Sequence, residues 1–301
     1  SGDIATAMAI EIGAGPGGSN RIVVAGLTSS EDFPTTTNAF DEEHNGSSDV
    51  FVLRLDDDLS TLVASTYVGG SHMESAFEPN TDRGPDMAMD AAGNIYVAGT
   101  TYSSDFPLIP AGKDLGYSPF QSAKNSDDDA FVIKLGNNLE SLLGWTYLGG
   151  DKQDRGTAVG VDNAGHVFVA GHTTSGEDWL PPPYDQFPIT PGAFDTTHNS
   201  LLEDGFVSRF NSDLTVLEAS TFIGGNYEDY VWDLADARDG SAVYIVWRTV
   251  SSDFPTPPTA VIPAKFPSKK GNVSKLNTGL TGHVAGTDHG GITPDMYPTA
   301  S

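Results

Sequence analysis

The 301-residue sequence contains no cysteine, which excludes disulfides, thiolate metal sites and a cysteine nucleophile. It is poor in basic residues: 15 Lys and Arg stand against 41 Asp and Glu, a formal net charge of −26 at pH 7. Nucleic-acid phosphates are bound through Lys and Arg, so that class of partner is not expected. No run of about 18 apolar residues occurs, so no membrane span is expected either. The first residues do not read as a signal peptide. Walker A, G-x-S-x-G and His-Glu-x-x-His patterns are all lacking, and no segment carries a convincing helical stripe.

What is present is repetition. Ser65-Thr-Tyr-Val-Gly-Gly70 recurs as Trp145-Thr-Tyr-Leu-Gly-Gly150, as Ser220-Thr-Phe-Ile-Gly-Gly225 and, worn, as Gly286-Thr-Asp-His-Gly-Gly291. Ala92-Gly-Asn-Ile-Tyr-Val-Ala-Gly99 matches Ala164-Gly-His-Val-Phe-Val-Ala-Gly171. Ser30-Glu-Asp-Phe-Pro34, Ser104-Asp-Phe-Pro107 and Ser252-Asp-Phe-Pro255 keep step, as do Asp49-Val-Phe-Val-Leu-Arg-Leu55, Asp129-Ala-Phe-Val-Ile-Lys-Leu135 and Asp204-Gly-Phe-Val-Ser-Arg-Phe210. Four copies result, at about 1–70, 71–150, 151–225 and 226–291, followed by a tail at 292–301. Each reads as four short strands, from period-two patterning, β-branched and aromatic residues, and Gly/Asn turns. The expectation is an all-β chain, a β-propeller of four tandem four-stranded antiparallel blades. A single twisted sheet cannot bury both faces, so neighbours must cover them. Gly-Gly is expected to supply positive φ where the chain crosses between blades. Asp49, Asp129 and Asp204 are expected to hold backbone N–H groups. Gly13-Ala-Gly-Pro-Gly-Gly18 matches G-x-G-x-x-G, but a strand should follow it, which rules out a dinucleotide site.

These motifs together resemble the bacterial β-propeller repeat called SBBP, strongly in copies one to three and weakly in the fourth. The resemblance implies secreted or cell-surface proteins, often with adhesive modules, and it implies no catalytic residues. That family's name anticipates seven blades against four copies here. The expectation is a closed four-bladed ring, with part of a larger propeller or assembly as the alternative. Ser1-Gly-Asp3 aligns with the residues that follow Gly-Gly in the other copies, so the sequence begins at a repeat boundary.

Between the second and third strands lie long stretches, 34–48, 107–128, 180–203 and 255–270, which hold 14 of the 19 prolines. Stiff Pro-rich loops lose little entropy on binding, so this side is the expected working surface. Trp179, Tyr184, Tyr117 and Phe120 are the candidate ligand-binding residues, suited to stack on glycans or dock a partner. Acidic loops point to calcium as the candidate cation, with Asp41, Glu43, Asn45, Asp127 and Asp129 as candidate ligands. Val52 stands where an EF-hand needs its twelfth-position Glu, so an EF-hand is excluded. The seven histidines show no metal-binding spacing. The functional expectation is a non-enzymatic extracellular module for surface structure, assembly or adhesion, associating with itself or with other surface proteins. A carbohydrate-binding propeller is one alternative. A polysaccharide hydrolase or lyase, needing two carboxylates at about 5.5 or 6.5–9.5 Å, is the other.

Overall fold

The computed structural model describes residues 2–75, 84–113, 116–176, 186–254 and 270–288. Among the described residues sixteen strands form four antiparallel sheets, each a simple meander. The first holds β1 (Asp3–Glu11), β2 (Arg21–Thr28), β3 (Asp49–Asp56) and β4 (Leu62–Val68). The second holds β5 (Asp86–Met89), β6 (Ile95–Thr101), β7 (Asp129–Leu135) and β8 (Leu142–Leu148). The third holds β9 (Asp154–Val161), β10 (Val167–Thr173), β11 (Asp204–Phe210) and β12 (Leu217–Ile223). The fourth holds β13 (Asp229–Asp236), β14 (Val243–Thr249), β15 (Lys270–Leu276) and β16 (His283–Asp288). The glycine-rich turn at 13–18 closes in a short 3₁₀ segment and leads into β2, a strand.

Register repeats with sequence. Thr28 faces Asp49, Thr101 faces Asp129, Thr173 faces Asp204, and Thr249 faces Lys270. The worn copy is in step too, since Gly286 opposes Ser274 as Ser65 opposes Leu53. Within a sheet, Gly26, Gly99 and Gly171 lie under the rings of Phe51, Phe131 and Phe206; a Cβ would stand 2.8–3.0 Å from those rings. A second aromatic stacks on each ring. Phe33–Phe51, Phe106–Phe131 and Phe187–Phe206 have centroids 4.5, 4.3 and 4.4 Å apart. In the fourth sheet the bulk moves to the neighbouring strand: Trp247 replaces the glycine, Asn272 the phenylalanine, and Phe254 stacks on Trp247 at 3.8 Å.

Sheets pack face to face through their first strands: β1 on β5, β5 on β9, and β9 on β13. Three apolar cores fill the spaces between sheets one and two, two and three, and three and four. Among the described residues no strand of the fourth sheet lies broadly against the first, so the expected four-bladed closure has no counterpart there.

The described parts of the first three long loops have packing work. Each folds back beside the outermost strand of its own sheet. The N–H groups of Tyr67, Tyr147 and Phe222 donate to the carbonyls of Asp41, Gln121 and Asp195 at 3.0–3.1 Å. Three exposed edge strands are thereby partly capped, which blunts unwanted pairing.

Candidate functional site: sealed junctions and bare end faces

The junctions between sheets are built from repeated polar groups around Gly-Gly. Asp49, Asp129 and Asp204 are fully buried, and each carboxylate accepts a loop N–H, from Asn45 (2.8 Å), Asn125 (3.1 Å) and Asn199 (2.8 Å). Glycine follows because nothing larger fits: a Cβ on Gly69, Gly149 or Gly224 would fall 2.3–2.9 Å from the Asp49, Asp129 or Asp204 carboxyl carbon. None of the six described residues of these Gly-Gly pairs has positive φ, so close approach, and not the expected left-handed backbone, explains the motif there. A second acid stands at the start of each unit. Asp3, Glu74, Asp154 and Asp229 accept hydroxyls from Ser30, Ser103, Ser175 and Ser251, at 2.6–3.0 Å. The backbone N–H groups of Glu74, Asp154 and Asp229 also donate across the junction, to the carbonyls of Ser48, Asp128 and Glu203 (2.9–3.1 Å).

Burial sets the charge state of these acids. It pushes Asp49 and Asp204 up to about 8, Glu74 up to about 7 and Asp229 up to about 6, and it raises Asp129 and Asp154. Asp49 Oδ1, Glu74 Oε2, Asp204 Oδ1 and Asp229 Oδ1 are buried without a hydrogen-bond partner, which favours the neutral acid.

A further stitch crosses each junction farther out. The N–H groups of Phe40, Phe120 and Phe194 donate to the carbonyls of Leu139, Leu214 and Leu280 in the next sheet (2.7, 3.2 and 2.8 Å). These leucines occupy turns with φ of 59°, 59° and 55°, uncommon for a side chain of that size, and all three are fully buried. Leu59 is their counterpart in the first sheet. It has the same φ, 60°, yet is 63% exposed. Covering such a leucine contributes about 2 kcal/mol.

The contrast runs across both end sheets. Met8 is 67% exposed, whereas its counterparts Met87, Val159 and Leu234 are buried. Ile22 and Val24 are half-buried where Ile95, Val97, Val167, Val169, Val243 and Ile245 are fully covered. At the other end Tyr244 and Val246 are 39% and 44% exposed. Their counterparts Val23, Tyr96 and Phe168, and Ala25, Ala98 and Ala170, are sealed. The first sheet thus leaves bare the face that elsewhere receives the preceding sheet. The fourth leaves bare the face that elsewhere covers the following one.

The candidate residues named from sequence fall into three groups. Trp179 and Tyr184 lie outside the described residues. Tyr117 and Phe120 lean on the third sheet: the Tyr117 hydroxyl donates to the Asp213 carbonyl, and the Phe120 ring meets Phe210 edge-on at 5.7 Å. Burial pushes the Tyr117 phenol up to about 12. In the acidic loop, Asp41 is buried and its two oxygens accept from Glu43 N–H (3.0 Å) and Asn45 Nδ2 (2.9 Å); Asn45 also donates to Asp49. Asp195 and Asn199 repeat this turn in the third sheet, with Asn199 Nδ2 on Asp195 at 2.8 Å. Glu43 is exposed. Asp129 is engaged at its junction, and Asp127 faces a shallow depression shared with Asn125, Asp151 and Lys152. Among the described residues no group of three or more His, Asp or Glu is arranged to hold a metal ion. Sequence reading missed the turn leucines and the Thr-x-Ser pairs serving the second acid. Asp56-Asp-Asp-Leu59, Asn211-Ser-Asp-Leu214 and Asn277-Thr-Gly-Leu280 carried that signal.

With this geometry in place, the family comparison is specific. Residues 65–107 match the model of the SBBP beta-propeller repeat. The chain carries an SBBP repeat. The matched segment begins in β4 of the first sheet, passes through Gly-Gly and β5, and ends after β6, so it spans the first junction. No curated protein matches the chain. No helix among the described residues is long and apolar enough to cross a membrane.

Proposed function

We propose that the chain is an open run of four propeller blades that serves as a non-enzymatic assembly or adhesion module outside the cell. The observation that carries this is the pair of bare end faces. Positions sealed at all three junctions are uncovered at the two ends, so each end offers an apolar surface of blade type. Scattered exposed leucines are ordinary in proteins, but a contiguous patch at positions built for packing marks an interaction surface. The acidic exterior supports the reading by keeping the rest of the molecule soluble. The extracellular setting rests on the character of proteins with this repeat. The glycan reading depends on Trp179 and Tyr184 together with Tyr117 and Phe120, which touch the third sheet while Phe120 keeps 37% of its surface exposed.

The test is fractionation of producing cells with the chain tagged. The expected result is recovery at the cell surface or in the extracellular matrix, with Leu59→Asp releasing the chain into the medium. Recovery inside the cell, or surface retention indifferent to substitutions on both end faces, would overturn the reading.

A further inference from the structure

We infer that a second copy of this chain covers the bare face of the first blade, docking its own fourth blade there head to tail. The inference rests on the assembly reading and names the partner.

The junctions within the chain define what such a face accepts. Each sets an outgoing face, formed in the first blade by Val23, Ala25 and Val52, on an incoming face, formed in the second by Ile95, Val97 and Leu139. The two uncovered faces are one of each kind. The first blade presents an incoming face through Met8, Ile22, Val24 and Leu59. The fourth presents an outgoing face through Tyr244, Val246 and half-buried Val273, whose counterparts Val52, Val132 and Val207 are fully buried. A contact between two copies therefore extends the existing series of junctions with the same pairing rule. Two incoming faces placed together would not reproduce it.

Charge selects the same pairing. On the third strand of the second and third blades, a basic side chain reaches over to the outer turn of the next, while Arg54 of the first blade pairs with Glu11 and donates to the Gly93 carbonyl. Lys134 Nζ donates to the Ser212 carbonyl at 3.2 Å, and Arg209 Nη1 to the Thr278 carbonyl at 2.6 Å. Lys275 holds that position in the fourth blade, with no blade following it among the described residues, and its ammonium sits 5.6 Å from the Tyr244 ring centroid. In the first blade the matching turn is Asp56-Asp57-Asp58, with Asp57 where Ser212 and Thr278 stand elsewhere. The half-buried Lys275, which also lies near Asp239, and the most acidic of the four outer turns thus occupy matched positions. In a chain of net charge −26, this places attraction at the one contact where two copies must meet. Such a heterologous contact either closes into a ring of two chains or continues as a filament.

The test uses the full 301-residue chain, with its mass measured by analytical ultracentrifugation from about 1 to 100 µM. Wild type is expected to associate with rising concentration, as dimers or longer series. Leu59→Asp and Val246→Asp lie on uncovered faces, and each is expected to give a folded monomer by circular dichroism. Mixed together, the two variants are expected to form one junction and stop at two chains, because each keeps one intact face. Lys275→Asp is expected to weaken wild-type association about tenfold or more. A wild type that stays monomeric over the whole range would overturn the inference, as would a mixture of folded single-face variants that fails to pair. A strictly monomeric chain still held at the cell surface through Leu59 and Val246 would remove the second copy as partner and leave the assembly reading standing. Intracellular recovery of a chain that pairs head to tail would do the reverse.

Discussion

Leu59 and Leu139 are the same residue in the same backbone conformation, yet one faces solvent and the other is fully buried. The difference between the ends of the molecule and its three junctions is of this kind throughout. Leu59 shares its backbone conformation with its relatives; what differs is whether another described sheet covers it. In a tandem array each unit contacts only its neighbours, so burial belongs to the junction and not to the repeat. The same holds for Tyr244 and Val246 against Tyr96 and Ala98.

The comparison can be broken most forcefully by placing a charge on each side of it. Leu139→Asp buries an unpaired carboxylate and removes a core side chain, and is expected to cost about 4 kcal/mol or more in urea unfolding. Leu59→Asp is expected to change stability by no more than about 0.5 kcal/mol in dilute solution. Equal losses would mean that Leu59 is covered after all.

Gly-Gly offers a second contrast. Gly149→Ala forces a Cβ to within 2.6 Å of Asp154 Oδ2, and an expected cost of about 1–3 kcal/mol follows. Gly271→Ala, with nothing within 4 Å and an extended backbone, is expected to be neutral or slightly stabilising. Thermal unfolding of both variants checks the pair.

Junction acids should also leave a pH signature. Burial raises Asp49 to about 8, with Glu74 and Asp41 as the carboxylates that add to the shift. The native state then holds a proton that the unfolded chain releases near its ordinary value of 3.8. Stability from this group is complete below about pH 4 and is lost as pH rises through about 8. Repulsion within a chain of charge −26 acts in the same direction, so the wild-type slope alone decides nothing. Asp49→Asn keeps an acceptor for Asn45 N–H and removes the titration. It is expected to reduce the stability lost between pH 5 and pH 8 by up to about 3–4 kcal/mol. An unchanged slope would show that Asp49 is ionised in the native junction. The smallest effect is expected for Tyr117→Phe, which gives up the bond to the Asp213 carbonyl and should cost about 1 kcal/mol by chemical denaturation.

Most of the architecture was legible because strand patterning and turn residues recur in register. The four sheets, their order and the worn fourth copy could all be read from Ser65-Thr-Tyr, Asp49-Val-Phe and their repeats. The role of Asp49, Asp129 and Asp204 was legible for the same reason, since an acid fixed at a strand start in several repeats serves the scaffold. The reason for Gly-Gly was not. Sequence marks a glycine without saying whether φ or a neighbouring atom demands it, and here the neighbour is a carboxyl group from a strand about 20 residues earlier. That Tyr117 and Phe120 also touch a neighbouring blade was not legible. The next sheet lies under them, a fact about packing between units that no single repeat encodes. Phe187 was missed as the third aromatic of its kind because Gln186 replaces the aspartate that marks the motif elsewhere.

The absence of native cysteine allows the most direct test. Leu59→Cys, Leu139→Cys, Leu214→Cys and Leu280→Cys each place one thiol at an equivalent position in an otherwise thiol-free chain. In dilute solution, the account predicts that residue 59 is labelled by a thiol reagent at nearly the free-peptide rate. The other three should be slower by about a hundredfold or more, because labelling requires a junction to open. Protection of residue 59 equal to that of the other three, in a chain shown to be monomeric, would mean that the fourth blade closes on the first, and would contradict the account.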